Sequence, residues 1–198
     1  MINNIKNLIK SRQQFINFLD QFLEKNESFK VLCEIGTGDG RFLQFLENRF
    51  YSIDKFIGID LNEKYIERNR NLYKKYEKII FESGHISEIF SKITNKCENC
   101  PLLLLTVRTL TWFTQNEIEN LFFLIKNSDK EIVFAFFEQN EMNLEKDFRS
   151  FIRCDIFFHS HNYPYLIEKS GLRILKKHIK FNNNFSNDHA ITMFVTNR

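Results

Sequence analysis

The chain has 198 residues, 43% of them hydrophobic and 27% charged, a balance that excludes a disordered polymer and is long enough to bury a core. Its formal net charge is only +3, and acids interleave with bases in stretches such as NEKYIERNRNLYKKYEK, so the charge pattern fits solvated helix faces and gives no support to a nucleic-acid partner. No apolar run approaches the roughly 20 residues that cross a bilayer, and MINNIKNLIKSRQQF lacks a signal-peptide core and cleavage site, so a soluble, cytoplasmic chain with no membrane partner is expected.

Phe15, Phe18, Leu19, Phe22 and Leu23 recur at helical spacing, which makes residues 1–28 an N-terminal helical segment ahead of an α/β core over residues 29–198. FKVLCEIG is a short apolar run stopped by glycine and reads as a buried strand, with Cys33 as a small core residue. RFLQFLENRF follows as a helix, and KFIGID as a second strand ending on an acid. Asn62 to Tyr76 reads as a charged helix, KIIFESG as a third strand, and Ile86 to Ile93 as helical. LLLLTV is a fourth strand, Asn116 to Lys126 a helix, and EIVFAFF a fifth strand. A helix over Tyr163 to Ser170 ends at Gly171, and LRILKKHIKF and HAITMFVTNR are strands joined by the polar loop NNNFSND.

Strands alternating with helices predict one α/β domain over residues 1–198, with a mostly parallel sheet covered on both faces and an antiparallel pair at its end. The 23 phenylalanines are spread along the chain and read as compositional background. Cys97 and Cys100 have the spacing of a zinc knuckle, but no second pair of ligands follows; a plain loop with no metal is expected.

In an open α/β sheet the ligand lies beyond the carboxyl ends of the strands, and the first such turn here is CEIGTGDGRF. A dinucleotide fingerprint G-x-G-x-x-G would need a glycine at position 41, where Arg41 stands. The pattern is instead an acid, Glu34, followed by Gly36, Gly38 and Gly40, with Asp60 closing the second strand. That arrangement resembles motif I of the class I S-adenosylmethionine-dependent methyltransferases, and the likeness extends from Lys30 to Arg198.

The resemblance implies a Rossmann-like three-layer sandwich around a seven-stranded sheet, with S-adenosylmethionine as the cofactor. Glu34, Gly36, Gly38 and Gly40 would surround its methionine end, and Asp60 would accept hydrogen bonds from its ribose. Leu61, His85, Ile86 and Thr106 would lie along the adenosine. Read without the resemblance, Glu34 and Asp60 are caps for local backbone amides, and His85 is a loop histidine. The chain departs from the family pattern in two places: His85 stands where an aspartate is frequent after the third strand, and Thr106 and Arg108 stand where Asp or Asn is frequent after the fourth.

TVRTLTWF lacks the N/D-P-P-Y/F motif of adenine-N6 and cytosine-N4 methyltransferases, and no cysteine sits nearby for a C5-pyrimidine adduct. His159, His161 and Tyr163, in FFHSHNYPY, are the candidate catalytic residues, because a histidine can take a proton from a hydroxyl or amine near neutral pH. Trp112 and Phe113 read equally as pocket wall or core, and Glu138 as a substrate contact or a solvated acid. The expected function is O- or N-methylation of a small molecule such as a sugar or other secondary metabolite. The alternatives are an RNA or protein methyltransferase, and a non-catalytic binding subunit of the same fold.

Overall fold

Short apolar runs bounded by glycine and polar turns become strands, and longer amphipathic stretches become helices that cover them. The computed structural model describes residues 2–97, 100–140, 149–153, 158–181 and 189–198. In chain order the elements are α1 (Ile2–Leu23), β1 (Val31–Ile35), α2 (Arg41–Glu47), β2 (Lys55–Asp60), α3 (Glu63–Leu72), β3 (Ile79–Ser83), α4 (Ile86–Thr94), β4 (Leu102–Val107) and α5 (Gln115–Lys126). They continue with β5 (Ile132–Asn140), β6 (Phe151–Arg153), β7 (Phe158–Ser160), α6 (Tyr163–Ser170), β8 (Arg173–Phe181) and β9 (His189–Thr196).

Seven strands form one sheet in the order β3-β2-β1-β4-β5-β9-β8. The first five are mutually parallel, while β9 is antiparallel to both β5 and β8. Strand β8 therefore runs with the first five, and β9 alone is reversed. The expected terminal pair is present, with the later strand on the inside. The loop NNNFSND lies outside the described residues. Strands β6 and β7 form a separate two-stranded antiparallel ribbon. Runs of three residues are too short to show an alternation, so the sequence does not announce them.

Every residue of VLCEI and LLLLTV is buried, as a parallel strand covered on both faces requires. The side chains sort by parity into two cores. Cys33, Ile35, Leu102 and Leu104 pack with Phe90, Phe122 and Leu166 of α4, α5 and α6. Leu32, Phe56, Leu103 and Leu105 pack with Leu19, Leu43 and Ile66 of α1, α2 and α3. Three layers result. Part of the phenylalanine content builds the seam that holds α1 on the sheet: Phe15 and Phe22 meet Phe194 of β9, with ring centroids 6.0 and 5.8 Å apart. No helix among the described residues is long and apolar enough to cross a membrane.

Helix starts follow local chemistry. The Asn62 side chain accepts the Lys64 amide at 3.1 Å, Thr114 and Glu117 form a reciprocal capping box, and Asn162 with Pro164 opens α6. Near the C-terminus, the Asn197 amide group donates to the carbonyls of Ile125 and Lys130 at 3.0 and 2.8 Å, and its oxygen accepts the Ile132 amide at 3.0 Å. One side chain thus ties the end of α5 to the start of β5. Asn197→Ala leaves these backbone groups without their partner and is expected to lower the unfolding free energy by about 1–3 kcal/mol, read from the midpoint of urea denaturation.

Candidate functional site

The strand order reverses direction on either side of β1 and β4, and a cavity opens there beyond the carboxyl ends of the strands. Its volume is about 570 Å³. Ile35 and Gly36 at the end of β1, Asp60 and Leu61 at the end of β2, Gly84 and His85 after β3, and Glu138 of β5 all reach it. A smaller recess of about 190 Å³ adjoins it, lined by Glu34, Gly38, Asp39 and Arg41. Arg12, Gly36 and Val107 border both spaces.

Asp60 organises the rim. Its two carboxylate oxygens accept the amides of Gly38 and Asn62, each at 2.9 Å. A carboxylate has about four acceptor sites, so two stay available toward the cavity. The capping role read from sequence and a ligand role are therefore compatible. Gly36 is required by close approach, since a Cβ there would run into the Thr109 side chain. Around Gly38 the space is open.

Gly40 has a different task. At φ +73° it starts α2, and a Cβ there would sit 2.8 Å from the Tyr73 ring and 3.0 Å from that of Phe81. It is a packing glycine that lines neither space.

Glu34 is buried and accepts the Thr37 hydroxyl at 2.9 Å. Burial pushes its carboxyl up to about 8, against the Thr37 hydrogen bond and the nearby Arg12 guanidinium. His85 lines the cavity with both ring nitrogens engaged: Nδ1 accepts the Ser87 amide at 3.3 Å, and Nε2 lies 3.5 Å from Glu117 Oε1. Its ring stacks on Phe113, at 5.8 Å between centroids. Nδ1 is thus committed to capping α4 and Nε2 to Glu117 of α5, which leaves the ring carbons to border the cavity. Ile86 lines the same wall. Thr106 does not reach the cavity; it is fully buried in the sheet between Ile35 and Phe136, and Val107 takes its place in the wall.

The three catalytic candidates separate. His159 lines the cavity, while His161 and Tyr163 do not. His161 is 0% exposed, with Nδ1 2.6 Å from the Ser150 hydroxyl, and burial, helped by His159, pulls its pKa down to about 4. Tyr163 packs on Phe136 in the core, 5.1 Å between ring centroids. The alternation of a strand followed by a helix start turns His161 and Tyr163 inward.

Three residues that the sequence left open belong to the wall. Trp112, 62% exposed, meets Phe158 edge to face at 4.4 Å between centroids, and Phe113 is buried beside it. Glu138 is 0% exposed and also lines the cavity. Its Oε1 accepts the amides of Thr109 and Leu110, each at 2.9 Å. Burial pushes its carboxyl up to about 8, offset by those amides and by Arg108. The turn that it braces contains Arg108 at φ 58°, a strained conformation for a residue with a side chain.

Arg12 carries no local signal in the sequence. It sits on α1, far from the glycine turn in the chain, and reaches the site only because the aromatic seam docks that helix. Its guanidinium stands 5.4 Å over the Phe42 ring, and Nε is buried with no partner among the described residues. No group of three metal-ligating side chains gathers among the described residues, and Cys97 and Cys100 are free thiols.

The architecture is similar to that of solved S-adenosylmethionine-dependent methyltransferases. A S-adenosylmethionine-dependent methyltransferase from Clostridium acetobutylicum is similar over 98% of this chain and 98% of its own, with TM-score 0.61 and 13% identity. The N-methyltransferase NodS from Bradyrhizobium japonicum is similar over 94% of this chain and 95% of its own, with TM-score 0.61 and 12% identity. The cyclase SpnF shares the fold over 84% of this chain and 75% of its own, with TM-score 0.63 and 9% identity. These likenesses establish the fold. No protein-family model and no curated protein matches the sequence.

Two measurements check the assignments made here. Gly40→Ala, strained and crowded, is expected to lower the unfolding free energy by about 1–3 kcal/mol in urea denaturation. His161 binds its proton more weakly folded, at about 4, than at its ordinary 6.5, so its contribution to stability is lost as pH falls from 6.5 toward 4. The stability advantage of wild type over His161→Gln should therefore shrink across that window, and a constant advantage would contradict the burial of a neutral ring.

Proposed function

We propose that the chain is an S-adenosylmethionine-dependent methyltransferase whose methyl acceptor is a small molecule. One observation carries the reading: a cavity sized for a drug-like ligand, at the switch point, brings together the glycine turn, the Asp60 carboxylate and the unpartnered buried Nε of Arg12. These residues suit the cofactor's chemistry. The free acceptor sites of Asp60 match two ribose hydroxyls, and Arg12 Nε matches the carboxylate of the methionine end. Gly36 and Gly38 let backbone approach, and Leu61, Ile86 and the ring carbons of His85 form an apolar shelf for adenine. When bound, the cofactor supplies a methyl group made electrophilic by its sulfonium.

The remainder of the cavity is left for the acceptor. Trp112, Phe158 and Phe113 provide flat apolar walls, and Thr111 and His159 provide polar groups. A histidine base, if the reaction uses one, is His159, the member of the histidine pair that borders the space. The modest cavity volume and the small net charge support a small molecule over RNA or protein. The same fold in a cyclase is the reason to test cofactor binding directly.

Calorimetry with S-adenosylhomocysteine, the product form, tests the reading. Wild type is expected to bind, and Asp60→Ala and Arg12→Ala each to weaken binding about tenfold or more, the size of a lost charge-assisted hydrogen bond. No heat with wild type would refute it.

A further inference from the structure

Glu138 carries the inference, because its two carboxylate oxygens live in different circumstances. Oε1 is saturated by the Thr109 and Leu110 amides, which fixes the side chain against the turn after β4. Oε2 is buried and has no hydrogen-bond partner among the described residues, although the side chain borders the cavity. An ionised Oε2 without a donor is costly to keep, in line with the upward push that burial gives this carboxyl, and a cationic ligand group that donates to it removes the cost and favours the charged form.

The surroundings say which donor. Charged and titratable groups near Glu138 come from three other elements: Arg12 of α1, Arg108 in the turn after β4, and Tyr163 of α6. Arg12 answers more strongly to Glu34 than to Glu138, and Arg108 is exposed and makes no hydrogen bond to Glu138 among the described residues. The Tyr163 hydroxyl is buried and likewise makes none. No cation of the described protein therefore occupies Oε2. The cavity that Glu138 borders has aromatic walls as well: the edge-to-face pair of Trp112 and Phe158, and Phe113. Rings that line the same cavity as a fixed carboxyl suit an ammonium or amine on a flat apolar body, since ring faces attract cations and an ammonium–carboxylate hydrogen bond is about twice as strong as a neutral one.

We propose that Glu138 receives the amino group of the acceptor, and that the cavity selects amines carried on an aromatic or similarly flat apolar skeleton. This rests on the reading above that the cavity holds an acceptor beside the cofactor. Glu138 acts by binding and orienting the nitrogen, and its contact with the turn after β4 makes that turn part of the acceptor site.

Trp112 is the chain's one tryptophan and lines the cavity, so its fluorescence reports occupancy. The full chain is titrated in the millimolar range with benzylamine and, separately, with benzyl alcohol, which has the same shape without the charge. Wild type is expected to bind benzylamine about tenfold tighter or more. Glu138→Gln keeps an oxygen for the Thr109 and Leu110 amides and should erase that preference, while the affinity for S-adenosylhomocysteine stays within about twofold. Equal binding of the two probes by wild type, no binding of benzylamine, or a preference retained in Glu138→Gln would each overturn the proposal. The wild-type comparison decides even if the variant does not fold. Failure to bind S-adenosylhomocysteine together with a Glu138-dependent amine preference would sink the cofactor reading, and with it the role of acceptor, and leave Glu138 as an amine-binding group alone.

Discussion

The end of β2 holds the turn that follows β1 by its amides. Gly36 and Thr37 both donate to the Ile59 carbonyl, at 2.8 and 2.9 Å, and Gly38 donates to Asp60 at 2.9 Å. Helix α3 secures the same turn from outside: Asn69 donates to the Gly38 carbonyl at 2.7 Å, and the Tyr73 hydroxyl to that of Asp39 at 3.0 Å. Backbone groups inside a protein must find partners, and here satisfying them also sets the shape of the ligand rim. The glycine loop and the acidic strand end behave as one rigid piece, so little ordering is left to be done when a ligand arrives.

The parts of the molecule that were legible in the sequence are those governed by neighbours in the chain. The buried five- and six-residue runs are local patterns and became strands, and the glycine spacing and the acid at position 60 fall at the strand ends that border the cavity. Residues recruited by tertiary packing gave no such sign. Arg12 reaches the site because Phe15 and Phe22 dock α1 on the sheet, a fact of three dimensions. Gly40 looked like its two neighbours in the motif and differs because Tyr73 and Phe81 crowd it. His161 and Tyr163 looked like site residues because polar side chains invite that reading. Their direction depends on which face of β7 and α6 meets the core, and a three-residue strand is too short to reveal it.

Glu34 and Glu138 are a further consequence of building a site at strand ends. Both lie in the sheet layer, on β1 and β5, and both are pushed up to about 8 by burial. Each is anchored by neutral donors, a hydroxyl for one and two amides for the other. A carboxyl held in this way changes its charge at modest cost near neutral pH, so its protonation can follow what occupies the cavity. The sequence reads Glu34 as a cofactor contact or a backbone cap and Glu138 as a substrate contact or a solvated acid, and signals the burial of Glu138 in neither reading.

The place of β9 has a consequence for how the molecule assembles. It lies between β5 and β8, although it follows both in the chain. Among the described residues β8 pairs only with β9, so it has no route onto the sheet until β9 has been made and inserted. During synthesis the edge of β5, with Phe134 and Phe136 in its run, waits unpaired through more than forty residues of chain, counted from Asn140 to His189. Such long-range closure slows folding and leaves a strand edge open to other chains in the interval. The last strand is thus the keystone, and a ribosome-bound fragment lacking it would be the form most prone to aggregate.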